Sequence, residues 1–110
     1  MEVIFVSGKY RGKTEWEVKQ NIYHAEKRAR MLWMNGFAVV CPHLNTAFLG
    51  GSDDSIWLEG DLEILKRCDA IYMLDGWEDS EGARKELGLA IKLGKKSYFE
   101  VDDNFGEYDD

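Results

Sequence analysis

Proline occurs once in the 110 residues, at Pro42, and cysteine only twice, at Cys41 and Cys68. Two thiols do not make a disulfide framework, and both are expected to be free and buried in a reducing compartment. No apolar run approaches the roughly 20 residues that a membrane span needs, so no membrane partner is expected. The opening residues, MEVIFV, lack a basic n-region and read as a strand rather than a signal peptide, and a cytoplasmic location is expected. Basic charge is also short: 14 Lys and Arg stand against 21 Asp and Glu, for a net charge of −7. That balance disfavours binding duplex nucleic acid through a broad basic face. The chain has neither internal repeats nor low-complexity segments. Cys41-Pro42-His43 has no second Cys or His cluster to join it, so neither a metal nor another cofactor is expected.

What remains is the composition of one folded domain. Apolar residues make up 45% and charged residues 32%, which excludes a disordered chain. The acidic excess is local. Residues 100–110 hold six acids and no base, leaving 15 acids against 14 bases in the rest. The body is therefore nearly neutral. A domain over 1–101 followed by an acidic C-terminal tail at 102–110 is the expected organisation, with solubility the simplest role for the tail.

Strand and helix signals alternate along the domain. Residues 2–7 form a short β-rich run of the kind buried on both faces of a sheet, stopped by Gly8. Thr14 and Glu17 make a capping box at the start of a helix whose apolar residues Ile22, Ala25, Ala29, Leu32 and Trp33 recur at helical spacing up to Asn35-Gly36. Residues 37–41 are a second strand, and 42–53 a long loop of the sort that often binds ligands. A helix over about 54–66 is expected to turn Ile56, Leu58, Leu62 and Leu65 inward. A third strand at 70–74 and a turn at 75–79 precede a helix capped by Ser80, with Ala83, Leu87, Ala90, Ile91 and Leu93 as its stripe and Gly94 as its stop. A fourth strand spans 96–101. This order predicts an α/β, three-layer sandwich with a mainly parallel four-stranded sheet of Rossmann-like or flavodoxin-like type. Ligands in such sheets sit at the carboxyl ends of the strands, here the segments 7–13, 42–53 and 75–80.

Each of those segments carries candidate chemistry. In Ser7-Gly8-Lys9-Tyr10-Arg11-Gly12 the glycines let backbone approach a ligand, and Arg11 can grip a phosphate or carboxylate through two nitrogens. A tight turn with solvated cations would have the same composition. Ser80 reads as a helix N-cap, and a capped helix start with a hydroxyl is also an anion site. Glu86, in helical phase between Ala83 and Ala90, falls toward the inner face, an odd place for a carboxylate. Asp61 lies toward the apolar stripe of its own helix. His43 orients a loop or touches a ligand, His24 reads as an exposed mid-helix residue, and Trp77 is placed to line the site.

The motifs SGKYRG (7–12), GDLEIL (60–65), CDA (68–70) and SEGARKELGLA (80–90), in this order, resemble the nucleoside 2-deoxyribosyltransferase-like family. Within it they are similar to the 2′-deoxynucleoside 5′-phosphate N-hydrolases and to short phage and prophage proteins of unassigned function. The resemblance covers about residues 3–101. It implies Glu86 as the nucleophile that attacks the anomeric carbon, and Asp61 as the residue that contacts the sugar and assists the leaving base. It further implies a 5′-phosphate site from Gly8, Arg11, Gly12 and Ser80; Ser7, His43, Trp77 and Gly82 are further candidates to line the substrate. Cleavage of an N-glycosidic bond passes through an oxocarbenium-like state that a carboxylate can stabilise or trap. Transferases of the family that act on unphosphorylated nucleosides carry an acid where this chain has Ser80. An acid there would repel a phosphate, whereas a serine at a helix start attracts it. Characterised members also carry a tyrosine near the end of the first strand. Here Phe5 and Val6 occupy that stretch, and Tyr10 is the candidate to orient Glu86.

The expected function is cleavage of, or transfer across, the N-glycosidic bond of a 2′-deoxynucleoside 5′-monophosphate through a glutamate nucleophile. A non-catalytic nucleotide-binding module of the same fold is the alternative, and an interaction scaffold the third reading. The resemblance implies a homodimer or larger homo-oligomer joined through the first two helices. Four tryptophans (Trp16, Trp33, Trp57 and Trp77) in so small a body agree with it.

Overall fold

Val3, Ile4, Phe5 and Val6 have the β-branched and aromatic side chains of a strand covered on both sides, and they form the centre of the sheet. The computed structural model describes residues 1–45 and 54–102. In chain order its elements are β1 (Val3–Ser7), α1 (Glu15–Met34), β2 (Ala38–Val40), α2 (Pro42–Asn45), α3 (Asp54–Lys66), β3 (Ala70–Met73), α4 (Glu81–Lys92) and β4 (Lys96–Phe99), with 3-10 turns at Trp77–Asp79 and Glu100–Asp102. All described strand pairs are parallel, in the order β2-β1-β3-β4, with Phe5 in register with Val40 on one side and Ile71 on the other.

The two-residue alternation of the strands divides the core in two. Ile4 and Val6 of β1 pack with Ala70, Tyr72 and Leu74 and with Ala25, Met31 and Leu32 of α1. Phe5, Ile71 and Met73 face the other way, toward Leu65 of α3 and Ala83, Leu87 and Ala90 of α4. The result is the expected three-layer α/β sandwich, with α1 on one face and α3 and α4 on the other. The chain runs outward from β1 to β2, then crosses back to β3 on the far side of β1. The carboxyl ends of β1 and β3 therefore flank the point where strand order reverses, the usual place for a ligand in an open parallel sheet.

Local signals explain the ends of the helices. Thr14 caps α1, its Oγ1 accepting from the Glu17 amide at 3.1 Å. Glu17 reaches back to the amide of Lys13 at 3.3 Å, one residue short of the cap itself. Gly36, at φ 91°, supplies the left-handed residue that ends α1.

Several expectations need correction. The stretch 42–53 is not wholly loop: Pro42 opens α2, as proline favours a first helical position, and 46–53 lies outside the described residues. β4 ends at Phe99, because Glu100–Val101 turn into a 3-10 helix. Trp33, Ile56, Ile91 and Leu93 point to solvent rather than inward. Ile91 follows buried Ala90 by one residue, and 100° of helical rotation carries it off the stripe. Cys41 is only half-buried, although Cys68 is buried, and both are free thiols. The tail beyond Asp102 lies outside the described residues. Among the described residues no helix is long and apolar enough to cross a membrane.

Candidate active site

Ser7 closes β1 in phase with Phe5, so its side chain points toward the α3–α4 layer. There its Oγ donates to Glu86 Oε1 at 2.6 Å, in surroundings that leave Ser7 1% and Glu86 8% exposed. Glu86 reaches this position because Ala83, Leu87 and Ala90, its helical neighbours, pack α4 flat on the sheet. A carboxylate on that face is forced into the interior. Burial pushes its pKa up from 4.5 to about 7, a rise that the Ser7 hydrogen bond moderates and the negative charge of Asp61 increases.

Asp61 belongs to α3 and shares a stripe with Leu58, Leu62 and Leu65 at three- and four-residue spacing. It is half-buried, and burial raises its pKa from 3.8 to about 6. α3 and α4 touch near their N-terminal halves: a β-carbon on Gly82 would lie 4.0 Å from Leu58 Cδ1 and 3.9 Å from Ser80 Oγ. Two carboxylates with raised pKa values thus lie on α3 and α4, near enough for the charge of Asp61 to act on Glu86. Paired acids shifted toward neutrality are a common sign of acid–base or nucleophilic work.

The segment 8–13 forms the second wall. Gly8 is needed for packing: a β-carbon there would come within 2.7 Å of Leu74 Cβ and Cδ1. A β-carbon on Gly12 would collide with Glu17 Cβ. Packing alone therefore accounts for both glycines. The segment is held from outside. Asn21 Nδ2 donates to the carbonyls of Tyr10 and Arg11, each at 3.1 Å, and His43 Nε2 donates to the carbonyl of Lys9 at 3.0 Å. Burial lowers the pKa of His43, keeping it a neutral donor in this role. Its ring meets Tyr10 edge-on at 5.8 Å. Arg11 is exposed at the rim.

The third wall is the segment between β3 and α4. Ser80 Oγ accepts from the Ala83 amide at 3.1 Å and so caps α4 as expected. Trp77, half-buried, rests against Phe99 with ring centroids 6.1 Å apart.

The structure thus joins Ser7 and Glu86 directly and brings Asp61 within electrostatic reach of Glu86. Gly8, Tyr10, Arg11, Gly12 and His43 fall in a second group, and Trp77, Ser80 and Gly82 in a third. The residue that hydrogen-bonds Glu86 is Ser7, whereas Tyr10, the candidate to orient Glu86, packs on His43. His24 is not a bare surface residue: its Nε2 lies 2.8 Å from Glu100 Oε1. Asn21 and Glu100 carried no sequence signal, since each acts only through contacts with residues distant along the chain. Among the described residues no group of three or more His, Cys, Asp or Glu is placed to hold a metal.

Comparison with known proteins agrees with this architecture. The family model described as a domain of unknown function, DUF4406, matches residues 2–99. No curated protein sequence matches. Among solved structures, a 2-deoxyribosyltransferase from the psychrotolerant bacterium Bacillus psychrosaccharolyticus superposes with a TM-score of 0.64 over 88% of this chain and 70% of its own, at 24% sequence identity. At that identity the likeness concerns the fold.

Proposed function

This chain belongs to the DUF4406 family, and on that premise we propose that it acts on the N-glycosidic bond of a 2′-deoxynucleoside 5′-monophosphate, with Glu86 as nucleophile and Asp61 as acid. The observation that carries the reading is the buried Ser7–Glu86 hydrogen bond beside Asp61, at the strand ends where such sheets bind ligands. The 2-deoxyribosyltransferase fold supports a deoxyribosyl substrate.

The pair holds about one proton near neutral pH, shared between coupled groups. In the reactive arrangement that proton is on Asp61, and Glu86 is ionised and oriented by Ser7. The Glu86 carboxylate forms a bond to C1′ as the C1′–N bond breaks. The electron pair leaves with the base, which takes its proton from Asp61. Water, deprotonated by Asp61, then attacks C1′ and frees Glu86. A second base in place of water gives transfer instead of hydrolysis. Arg11 and the start of α4 at Ser80 supply the positive field for a 5′-phosphate. Self-association through the exposed Trp16, Tyr23 and Trp33 of α1 belongs to the same reading, and light scattering at micromolar concentration would show it as a dimer or larger species.

The test is incubation with each deoxynucleoside monophosphate, reading free base by chromatography. The expected result is base release by the wild-type protein, none by Glu86→Ala, and weaker binding of the nucleosides lacking phosphate. Nucleotide binding without base release from any of the substrates would identify a non-catalytic binding module. Wild-type turnover by Glu86→Ala would remove Glu86 from the mechanism.

A further inference from the structure

Glu100 stands just past β4, at the same end of the sheet as the site, but outside the Glu86–Asp61 pair and the 8–13 segment. Its side chain is 12% exposed. Three residues from two separate parts of the chain donate to its carboxylate. His24 Nε2 approaches the two oxygens at 2.8 and 3.1 Å, Arg28 Nε donates at 3.0 Å, and the backbone amide of Asp75 donates at 2.8 Å. Burial alone would raise its pKa, but the hydrogen bonds from His24, Asp75 and Arg28 outweigh it and hold the group at about 2. One ionised carboxylate therefore ties α1, the end of β4 and the first residue after β3–Leu74 together.

Asp75 is the residue from which the 75–80 segment departs. The backbone hydrogen bonds of that segment are local turns, from Trp77 to Leu74, Asp79 to Gly76 and Ser80 to Trp77. Gly76 sits at φ 88°, so the chain turns sharply directly after the anchored amide. The Trp77 ring leans on Phe99, the residue before Glu100. Both ties across to β4 thus come from two consecutive residues, one by ring contact and the other by a charged hydrogen bond. At its far end the segment carries Ser80, the cap of α4.

We propose that Glu100 is a positioning residue: with His24 and Arg28 behind it, it anchors the 75–80 segment through the Asp75 amide and so fixes Trp77 and Ser80 where the nucleotide binds. Its catalytic consequence rests on the reading given under Proposed function; the anchoring itself does not.

Two measurements on the full chain separate these. Amide hydrogen exchange of the free protein reads the anchor without any substrate. In Glu100→Ala, exchange at residues 75–80 should quicken about tenfold or more, the size of effect expected from one lost charged hydrogen bond, while β1 amides stay protected. Steady-state base release should show KM for a deoxynucleoside monophosphate rising by a similar factor with kcat changing less, since the loss falls on substrate binding. Glu100→Gln keeps an oxygen for the Asp75 amide and should restore most of both. Should Glu100→Ala fail to fold, His24→Ala is read in the same way, with smaller shifts in the same residues. Unchanged exchange at 75–80, or Glu100→Gln behaving as Glu100→Ala, would overturn the anchor. Quickened exchange with unchanged KM would overturn its role in binding. A wild-type protein that releases no base would overturn the proposed function, while the exchange measurement still decides the anchor.

Discussion

Ser7→Ala removes one hydroxyl and leaves the β-carbon, so β1 keeps its place in the sheet and Glu86 keeps its burial. What Glu86 loses is the donor to its ionised form. A hydrogen bond to a charged group contributes roughly 1.5–3 kcal/mol, and one pKa unit corresponds to about 1.4 kcal/mol, so the Glu86 pKa should climb by about one to two units. From about 7 in the wild type it would then stand at about 8–9. The nucleophile must be ionised. At pH 7 Glu86 is ionised in about half of the wild-type protein, against about one-tenth to one-hundredth of the variant, a loss of roughly 5- to 50-fold at a given protonation state of Asp61. The assay is kcat/KM for base release between pH 5 and about 9.5. The reactive form needs Glu86 ionised and Asp61 protonated, so the two limbs of the wild-type profile lie at about 6 and about 7, and the upper one follows the more weakly acidic Glu86. In the variant the upper limb should move to higher pH and the maximum should fall. A loss of activity with both limbs unmoved would refute the assignment of Ser7 as the donor that keeps Glu86 ionisable.

Asp61→Asn removes the acid and a like charge beside Glu86, so the profile should keep a single acidic limb, set by Glu86 and lying below about 7, while the maximal rate falls by roughly 10²- to 10⁴-fold. A remaining limb above about 7 would show that Asp61 does not repel Glu86. Glu86→Gln bears on stability. The folded-state pKa of Glu86 is raised above the ordinary 4.5, so its contribution is fully present below pH 4.5 and is lost as pH rises through about 7. Denaturant unfolding at pH 8 should find Glu86→Gln more stable than wild type by on the order of 2 kcal/mol, with no such gain at pH 4; equal gains at both would contradict it. Gly8→Ala should lower stability by roughly 1–3 kcal/mol through the clash with Leu74, read as a fall in Tm.

The sequence carried the frame of this site because the frame is periodic. Alternation along β1 puts Ser7 on the face of Phe5, and helical phase puts Glu86 among Ala83, Leu87 and Ala90. Neither requires knowledge of distant residues. Tyr10, the candidate to orient Glu86 in place of the tyrosine that characterised members carry, packs on His43, and the donor to Glu86 is Ser7. The anchors were illegible for a different reason. Glu100 meets residues 25, 72 and 76 positions away, and nothing local distinguishes it from the acids of the tail that follows. Asn21 looks like any polar residue on a helix until the 8–13 segment is folded over it. The short α2 had one signal, proline at a first helical position, which a run of loop-forming residues masked.

The strand order leaves β2 and β4 as the outer strands of the described sheet. A bare outer strand invites another chain to add to the sheet by backbone pairing, and these two are ill suited to that. β2 has only three residues, and β4 begins with a lysine, Lys96, ion-paired to Glu2 at 3.0 Å, and bends after four residues into a 3-10 turn. Brevity, a terminal charge and an abrupt bend are the devices by which sheet proteins resist ribbon-like growth. A crowded solution of this protein is thereby steered away from fibrillar aggregation through its sheet margins.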